Sequence, residues 1–275
     1  MEFSNKVVII TGSSTGIGFA TAQKLLEHGA SVVLNGRSTE RLHSAMERLG
    51  NRERTMAIAC DVTDPVGSRK MVEDTVARFG RLDVLITNAA LVSNAKLADI
   101  DPAVFKKVFD ANLFGSVFPA KYAVPHLERS KGSLVFISSV AGFHGIPENV
   151  PYCASKMAIT AVAQSLRTEL DGTGIHIGVV YPGFTENEEN KSVLDASGRD
   201  KPVAHRPAWM QQSREQVANS IVRLIKNRRK KAVLSPIGKL YAALCRFSPG
   251  LVAFSLKISR RRMKSMFEDK SKDPV

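Results

Sequence analysis

Seven short apolar blocks, each separated from the next by a helix-like stretch, constrain the fold of this chain more than any other feature. They are KVVIITG (6–12), SVVLNG (31–36), TMAIACD (55–61), VLITNAA (84–90), SLVFISS (133–139), HIGVVYP (176–182) and KAVLSP (231–236). Each is a continuous hydrophobic run rather than an alternating one, the pattern of a strand covered on both faces. Between them lie amphipathic segments such as FATAQKLLEHGA and GSRKMVEDTVARFG, which run into glycine, the usual helix stop. Strand–helix alternation repeated this often predicts an α/β fold, a doubly wound parallel sheet with helices on both faces. At 275 residues the chain can bury a sizeable core, and 44% hydrophobic with 24% charged content is ordinary globular usage.

Other architectures and chemistries find little support. Cys60, Cys153 and Cys245 are scattered and odd in number, which argues against a disulfide framework or structural zinc and fits a reducing compartment. The six histidines show no metal-ligand spacing, so no metal is expected. The N-terminus reaches a strand-like run at once, without a signal peptide, and no uncharged apolar run approaches the roughly 20 residues of a spanning helix. The expectation is a cytoplasmic, non-secreted protein.

TGSSTGIG (11–18) joins the first apolar block to the first helical stretch. Gly12, Gly16 and Gly18 let the backbone turn tightly and approach a pyrophosphate, while the helix N-terminus presents free N–H groups to its charge. A strand-to-helix connection without a ligand would use glycine too. A second motif, PYCASKMA (151–158), places Tyr152 and Lys156 four apart, on one face of a helix. By itself that pair is equally a solvated helix face.

Taken in order, these motifs resemble the short-chain dehydrogenase/reductase family. TGSSTGIG looks like the family's cofactor loop, with Gly12, Ser14, Thr15, Gly16, Ile17 and Gly18 as implied contacts. Asp61-Val62 matches the pair that meets adenine, and Asn88-Ala89 in TNAA stands where the family writes NNAG, with Thr87 and Ala90 as departures. Asn112 matches the helical asparagine, Ser139 lies thirteen residues before Tyr152, and Tyr152 with Lys156 fills YxxxK. Pro182, Gly183 and Thr185 resemble the nicotinamide-side loop. The likeness covers residues 6 to about 235. It implies a Rossmann-type sheet of seven strands in order 3-2-1-4-5-6-7 and a ketone or aldehyde/alcohol oxidoreductase. In that picture Tyr152 is the general acid/base, and Lys156 binds ribose and lowers the tyrosine's pKa. Ser139 holds the carbonyl oxygen, and Asn112 orients a water that relays protons. It further implies a homodimer or homotetramer formed through the helices containing residues 102–128 and 152–170. A silent dinucleotide-binding scaffold or sensor at a membrane is the alternative, against which the Ser139–Tyr152–Lys156 set argues.

An NAD enzyme of this fold places a carboxylate at the end of its second strand. This chain reads Asn35-Gly36-Arg37-Ser38 there, and a guanidinium at Arg37 can grip a 2′-phosphate bidentately. NADP(H) is therefore expected over NAD(H), unless Arg37 is merely a solvated charge.

The net charge of +13 is lopsided. Residues 1–222 hold 24 Lys+Arg against 23 Asp+Glu, whereas residues 223–275 hold 15 against 3. Domain 1–236 is thus read as the catalytic body, with a substrate loop at about 184–209, and 237–275 as a basic helical extension. Ile237, Leu240, Tyr241 and Leu244 form one apolar stripe; Ser248-Pro249 opens a second helix carrying Leu251, Phe254 and Ile258 before Arg260-Arg261-Arg262. Apolar stripes flanked by Arg and Lys suit an anionic membrane surface. Packing over the pocket or on a partner subunit is the rival use; nucleic acid is not expected, since no recognised module accompanies the charge. Such extensions occur in family members that handle lipophilic substrates, so a steroid- or lipid-like substrate is expected.

Overall fold

The computed structural model describes residues 3–186, 192–203 and 207–258. In chain order the elements are β1 (Val7–Ile10), α1 (Gly16–Glu27), β2 (Ser31–Gly36), α2 (Thr39–Leu49), β3 (Thr55–Ala59), α3 (Pro65–Phe79), β4 (Val84–Thr87), α4 (Pro102–Phe109) and α5 (Gly115–Ser130). They continue with β5 (Ser133–Ile137), α6 (Val150–Glu169), β6 (His176–Tyr181), β7 (Ser192–Leu194), β8 (Asp200–Pro202), α7 (Arg214–Lys226), β9 (Lys231–Val233) and α8 (Pro236–Phe247). Seven strands form one sheet in the order β3-β2-β1-β4-β5-β6-β9, every neighbouring pair parallel. These are the seven apolar blocks of the sequence, in the order expected of them.

Strand periodicity builds two cores from one sheet. In β1, Val8 and Ile10 face α1 and α7, where Leu25, Val217 and Ile221 are buried, while Ile9 faces Met71 of α3, Leu127 of α5 and Ile159 of α6. Strands β1, β4, β5 and β6 are buried at every position, which explains their unbroken hydrophobicity; edge strand β3 alternates. At the sheet's lower end, the buried Asp83 carboxylate accepts from Lys6 Nζ (3.0 Å), Val7 N (3.0 Å) and Arg81 Nε (2.7 Å), tying the start of β4 to that of β1. The order of strand addition reverses between β1 and β4, and the crevice beyond the carboxyl ends of those strands is where such sheets receive ligands.

The 184–209 stretch holds more order than its polar sequence suggests. β7 and β8 pair antiparallel across a turn at Asp195–Gly198, where Gly198 has φ +84°. Leu194 is the reason: it is buried with Ile100, Val104 and Val108 of the α4 region, and its backbone bonds both Val92 and Asn94. A three-residue strand with one buried position is too short a pattern to announce itself in the sequence. Residues 187–191 and 204–206 of this stretch, and 259–275 of the tail with Arg260–Arg262, lie outside the described residues.

After β9 the chain turns through Ser235, whose hydroxyl accepts from Gly238 N (2.9 Å) and caps α8. A further helical stretch covers 249–258, beginning at the expected proline. The stripe expected to be one apolar face is split in use. Tyr241 is half-buried, whereas Ile237, Leu240, Leu244, Phe247, Leu251 and Phe254 are exposed, and Val252 provides the buried contact.

Candidate active site

The crevice at the carboxyl ends of the strands opens into a cleft of about 2100 Å³. Its floor at one end is the loop between β1 and α1. Gly12 has φ +59°, and a Cβ there would stand 2.7 Å from Ala89 Cα, so only glycine lets this loop lie against the end of β4. Gly16 also has a positive φ (+62°), and a Cβ there would meet nothing within 4 Å, so its glycine answers to backbone conformation and not to crowding. Asn88 braces the loop from the side, donating from Nδ2 to Thr11 O (3.0 Å) and Gly12 O (2.8 Å), while Thr11 Oγ1 accepts from Asn88 N and Ala89 N. Asn35 braces it from β2, accepting from Gly12 N (3.4 Å) and donating to Cys60 O (3.2 Å). Thr87, in place of the family's asparagine, is buried within β4.

The opposite end is built by β5, α6 and the chain after β6. Ser138 and Ser139 part company here. Ser138 is buried and its hydroxyl donates to Lys156 O (2.9 Å), fastening β5 to α6. Ser139 is half-buried on the cleft wall, its Oγ accepting from Ala141 N (3.2 Å) at the head of a short 3-10 turn. Tyr152 and Lys156 lie one turn apart on α6, and the Lys156 nitrogen is 5.7 Å from the centre of the Tyr152 ring. Lys156 is 2% exposed and donates to Ile137 O (2.8 Å); this burial pulls its pKa down to about 7. Tyr152 also packs against the Leu194 cluster, so the β7–β8 hairpin and the tyrosine share one apolar contact.

Every site residue expected from the sequence lines this cleft except two. Gly18 lies behind the wall: its Cα sits so close to Gly12 O and Asn88 that a Cβ would be 2.5 and 2.7 Å away, so glycine here packs the helix under the loop. Asn112 is buried in a π-helical turn (Asp110–Phe114) between α4 and α5. Its Oδ1 accepts from Leu91 N (2.7 Å) and its Nδ2 donates to Leu91 O (3.0 Å) and Ser155 Oγ (2.9 Å). These three bonds join β4's exit to α6 and hold Asn112 in place. Asp61 Oδ1 likewise accepts from Thr63 N and Thr63 Oγ1 (2.9 and 2.8 Å) while the residue stays on the cleft edge. His144 bonds its neighbour Gly145 and is not a cleft residue.

The residues present fit a dinucleotide. Positive φ at Gly12 and Gly16 lets the turn present backbone to the cleft, and α1 begins at Gly16 with its N-terminal end on the cleft wall. Thr185 Oγ1 is buried on the wall without a hydrogen-bonding partner, the orphan expected where a carboxamide docks. Beyond β2, Arg37, Arg41 and Arg48 line the rim, Arg48 stacked at 4.0 Å over Phe19. Ser38 Oγ, which donates to Glu40 (2.7 Å) and accepts from Arg41 N (3.1 Å), holds this corner in shape.

The sequence left the tail's use open between a membrane surface and packing over the pocket or on a partner. Ile237, Gly238 and Tyr241 of α8, and Leu256 beyond it, line the same cleft as Ser139 and Tyr152. The i, i+4 pair Ile237 and Tyr241 was visible as a stripe; that it would close the pocket rather than face elsewhere is a tertiary fact.

Comparison with known proteins places this geometry. The family model described as short chain dehydrogenase matches residues 6–197. An 11-beta-hydroxysteroid dehydrogenase A of Sesamum indicum is 35% identical over 234 residues, 81% of this chain and 66% of that protein. Dehydrogenase/reductase SDR family member 7B of Danio rerio is 30% identical over 276 residues, 98% of this chain and 89% of that one. A crystal structure of a short-chain dehydrogenase from Streptomyces avermitilis shares the fold, with a TM-score of 0.77 at 22% identity over 96% of this chain and 98% of its own.

Proposed function

The chain belongs to the short-chain dehydrogenase family, and on that premise we propose that it is an NADP(H)-dependent oxidoreductase interconverting a lipophilic, steroid-like ketone and its alcohol. The observation that carries this reading is one cleft holding both a glycine cradle and the Ser139–Tyr152–Lys156 set. A bound nicotinamide would give or take the hydride. The chain's own residues then manage the proton and the oxygen. Tyr152 hands its phenolic proton to the carbonyl oxygen in reduction and recovers it from the alcohol in reverse. Ser139 donates to that oxygen as negative charge grows on it. Lys156, charged, favours phenolate character at Tyr152 and binds ribose hydroxyls.

Three guanidiniums on the rim and no carboxylate at the end of β2 support the phosphate-bearing cofactor. A Cβ at Gly36 would meet Ser14 Oγ at an ordinary 3.5 Å, so space alone does not forbid an acid there; the choice is chemical. The steroid-like substrate is supported by the names of the curated relatives and by the apolar wall that α8 adds. The exposed stripe from Ile237 to Phe254, with Lys239, Arg246 and Lys257 beside it, supports an anionic membrane surface at the cleft's mouth. Exposed Phe114 and Met157, at α5 and α6, support dimerisation through those helices.

The test is turnover of a panel of cyclic and steroid ketones with NADPH and with NADH. Faster ketone reduction with NADPH is the expected result. A clear preference for NADH overturns the cofactor assignment, and no consumption of either cofactor across the panel favours the silent scaffold.

A further inference from the structure

Among the described residues, five buried side-chain polar atoms lack a hydrogen-bonding partner: Thr87 Oγ1, Ser93 Oγ, Thr185 Oγ1, Gln212 Oε1 and the Tyr241 hydroxyl. Only Thr185 and Tyr241 belong to residues that line the cleft. Thr185 is accounted for by the cofactor. Tyr241 is not.

Its position is closely set. Gly238, one turn earlier on α8, lies so near the loop after β5 that a Cβ would stand 3.2 Å from Val140 Cγ1 and 3.0 Å from Ser235 Oγ. Val140 is the neighbour of Ser139, so α8 is seated directly against the serine's loop and carries Tyr241 on the same face. Val140, Ile237 and Leu256 add apolar side chains to the same cleft. The nearest sulfur groups are Cys245, beside the hydroxyl, and Cys153, next to Tyr152 in sequence. A thiol is a weak partner for a phenol. Burial pushes the Tyr241 phenol well above its ordinary pKa, so it stays neutral and offers both a donor and an acceptor. A buried hydroxyl left without a strong partner is costly to the free protein and is repaid by a ligand that brings an oxygen.

We propose that Tyr241 is a specificity-determining residue that hydrogen-bonds a second oxygen of the substrate, remote from the carbonyl held by Ser139 and Tyr152. The proposal rests on the oxidoreductase reading above. The substrate class is then a rigid lipophilic ketone carrying a distal hydroxyl or carbonyl, not a plain hydrocarbon ketone.

Two steroid probes that differ only in remote oxygens test it: 5α-androstane-3,11,17-trione and 5α-androstan-11-one, each reduced by wild type and by Tyr241→Phe with NADPH. The substitution keeps the ring and its packing and removes one hydroxyl. For the trione, KM rises on the order of 10-fold with kcat little changed, while the mono-ketone shifts less than about 2-fold. Affinity for NADPH is unchanged. Equal loss on both probes, or no loss on either, overturns the role of Tyr241 while leaving the oxidoreductase reading intact. Where neither probe is turned over, binding to the NADP⁺-loaded protein is read from the single tryptophan, Trp209, which adjoins Met210 of the cleft wall; the same selective weakening supports the proposal and its absence overturns it. Failure of wild type to bind either probe overturns the substrate class and the proposal with it.

Discussion

Lys156 sits in α6 with its amine buried beneath the cleft, and the cost of that burial governs how the site answers to pH. Without cofactor its pKa is about 7, against an ordinary 10.5, so the folded protein holds fewer protons than the unfolded chain between those values. Stability therefore rises with pH from about 7 to 10.5, by at most about 1.4 kcal/mol per pH unit, and the contribution is lost as pH falls through 7. Chemical denaturation of cofactor-free protein at pH 7 and 9 checks this: the rise should disappear in Lys156→Met. A bound dinucleotide brings negative charge and favours the ammonium, so binding at pH 8 should take up a proton. Calorimetry in buffers of different ionisation enthalpy measures that uptake, and a buffer-independent heat would contradict it. At the other end of the cleft, Gly36→Asp with Arg37→Ala should lower kcat/KM for NADPH by about 10- to 100-fold while sparing NADH, because a carboxylate repels the 2′-phosphate and the guanidinium that gripped it is gone.

Elements explain which parts of this were legible. The inner strands of the main sheet could be read because they are buried on both sides and apolar throughout, and Tyr152–Lys156 because the pair falls in an ordered set of motifs. Ser139 could be told from Ser138 by motif spacing, and the structure gives a physical difference: Ser138 is buried and fastens α6, whereas Ser139 is half-buried and caps a short turn. What stayed hidden depends on contacts distant in sequence. The β7–β8 hairpin hangs on Leu194 meeting α4, Gly18 packs under the loop, and Asn112 is held by Leu91 and Ser155. Two substitutions test these element-level roles. Gly18→Ala forces a Cβ to 2.5 Å from Gly12 O and should cost about 1–3 kcal/mol while weakening dinucleotide affinity. Asp83→Ala, far from the cleft, removes a buried acceptor from Lys6, Arg81 and Val7 N and should cost about 3 kcal/mol. Cofactor affinity in that variant is expected to remain.

At the scale of the molecule, a neutral α/β body carries a basic tail whose first helix closes one side of the cleft and exposes apolar side chains on the other. That arrangement ties access to the site to whatever surface the tail meets. Flotation with vesicles containing anionic lipid is expected to carry the intact chain, and to lose it when residues 237–275 are deleted or when salt is raised. Equal flotation of both forms would remove the membrane from the account. In the proposed reading, the sheet, the glycine loop and α6 serve a single event, delivery of a proton from Tyr152 to the oxygen of a carbonyl whose carbon receives hydride. The most direct measurement is a single turnover: protein loaded with NADPH is mixed with a steroid ketone and its absorbance followed, for wild type and for Tyr152→Phe. Wild type should oxidise its NADPH, and the variant should bind NADPH equally well yet do so at least about 100-fold more slowly. Equal rates in the two proteins would contradict the account at its centre.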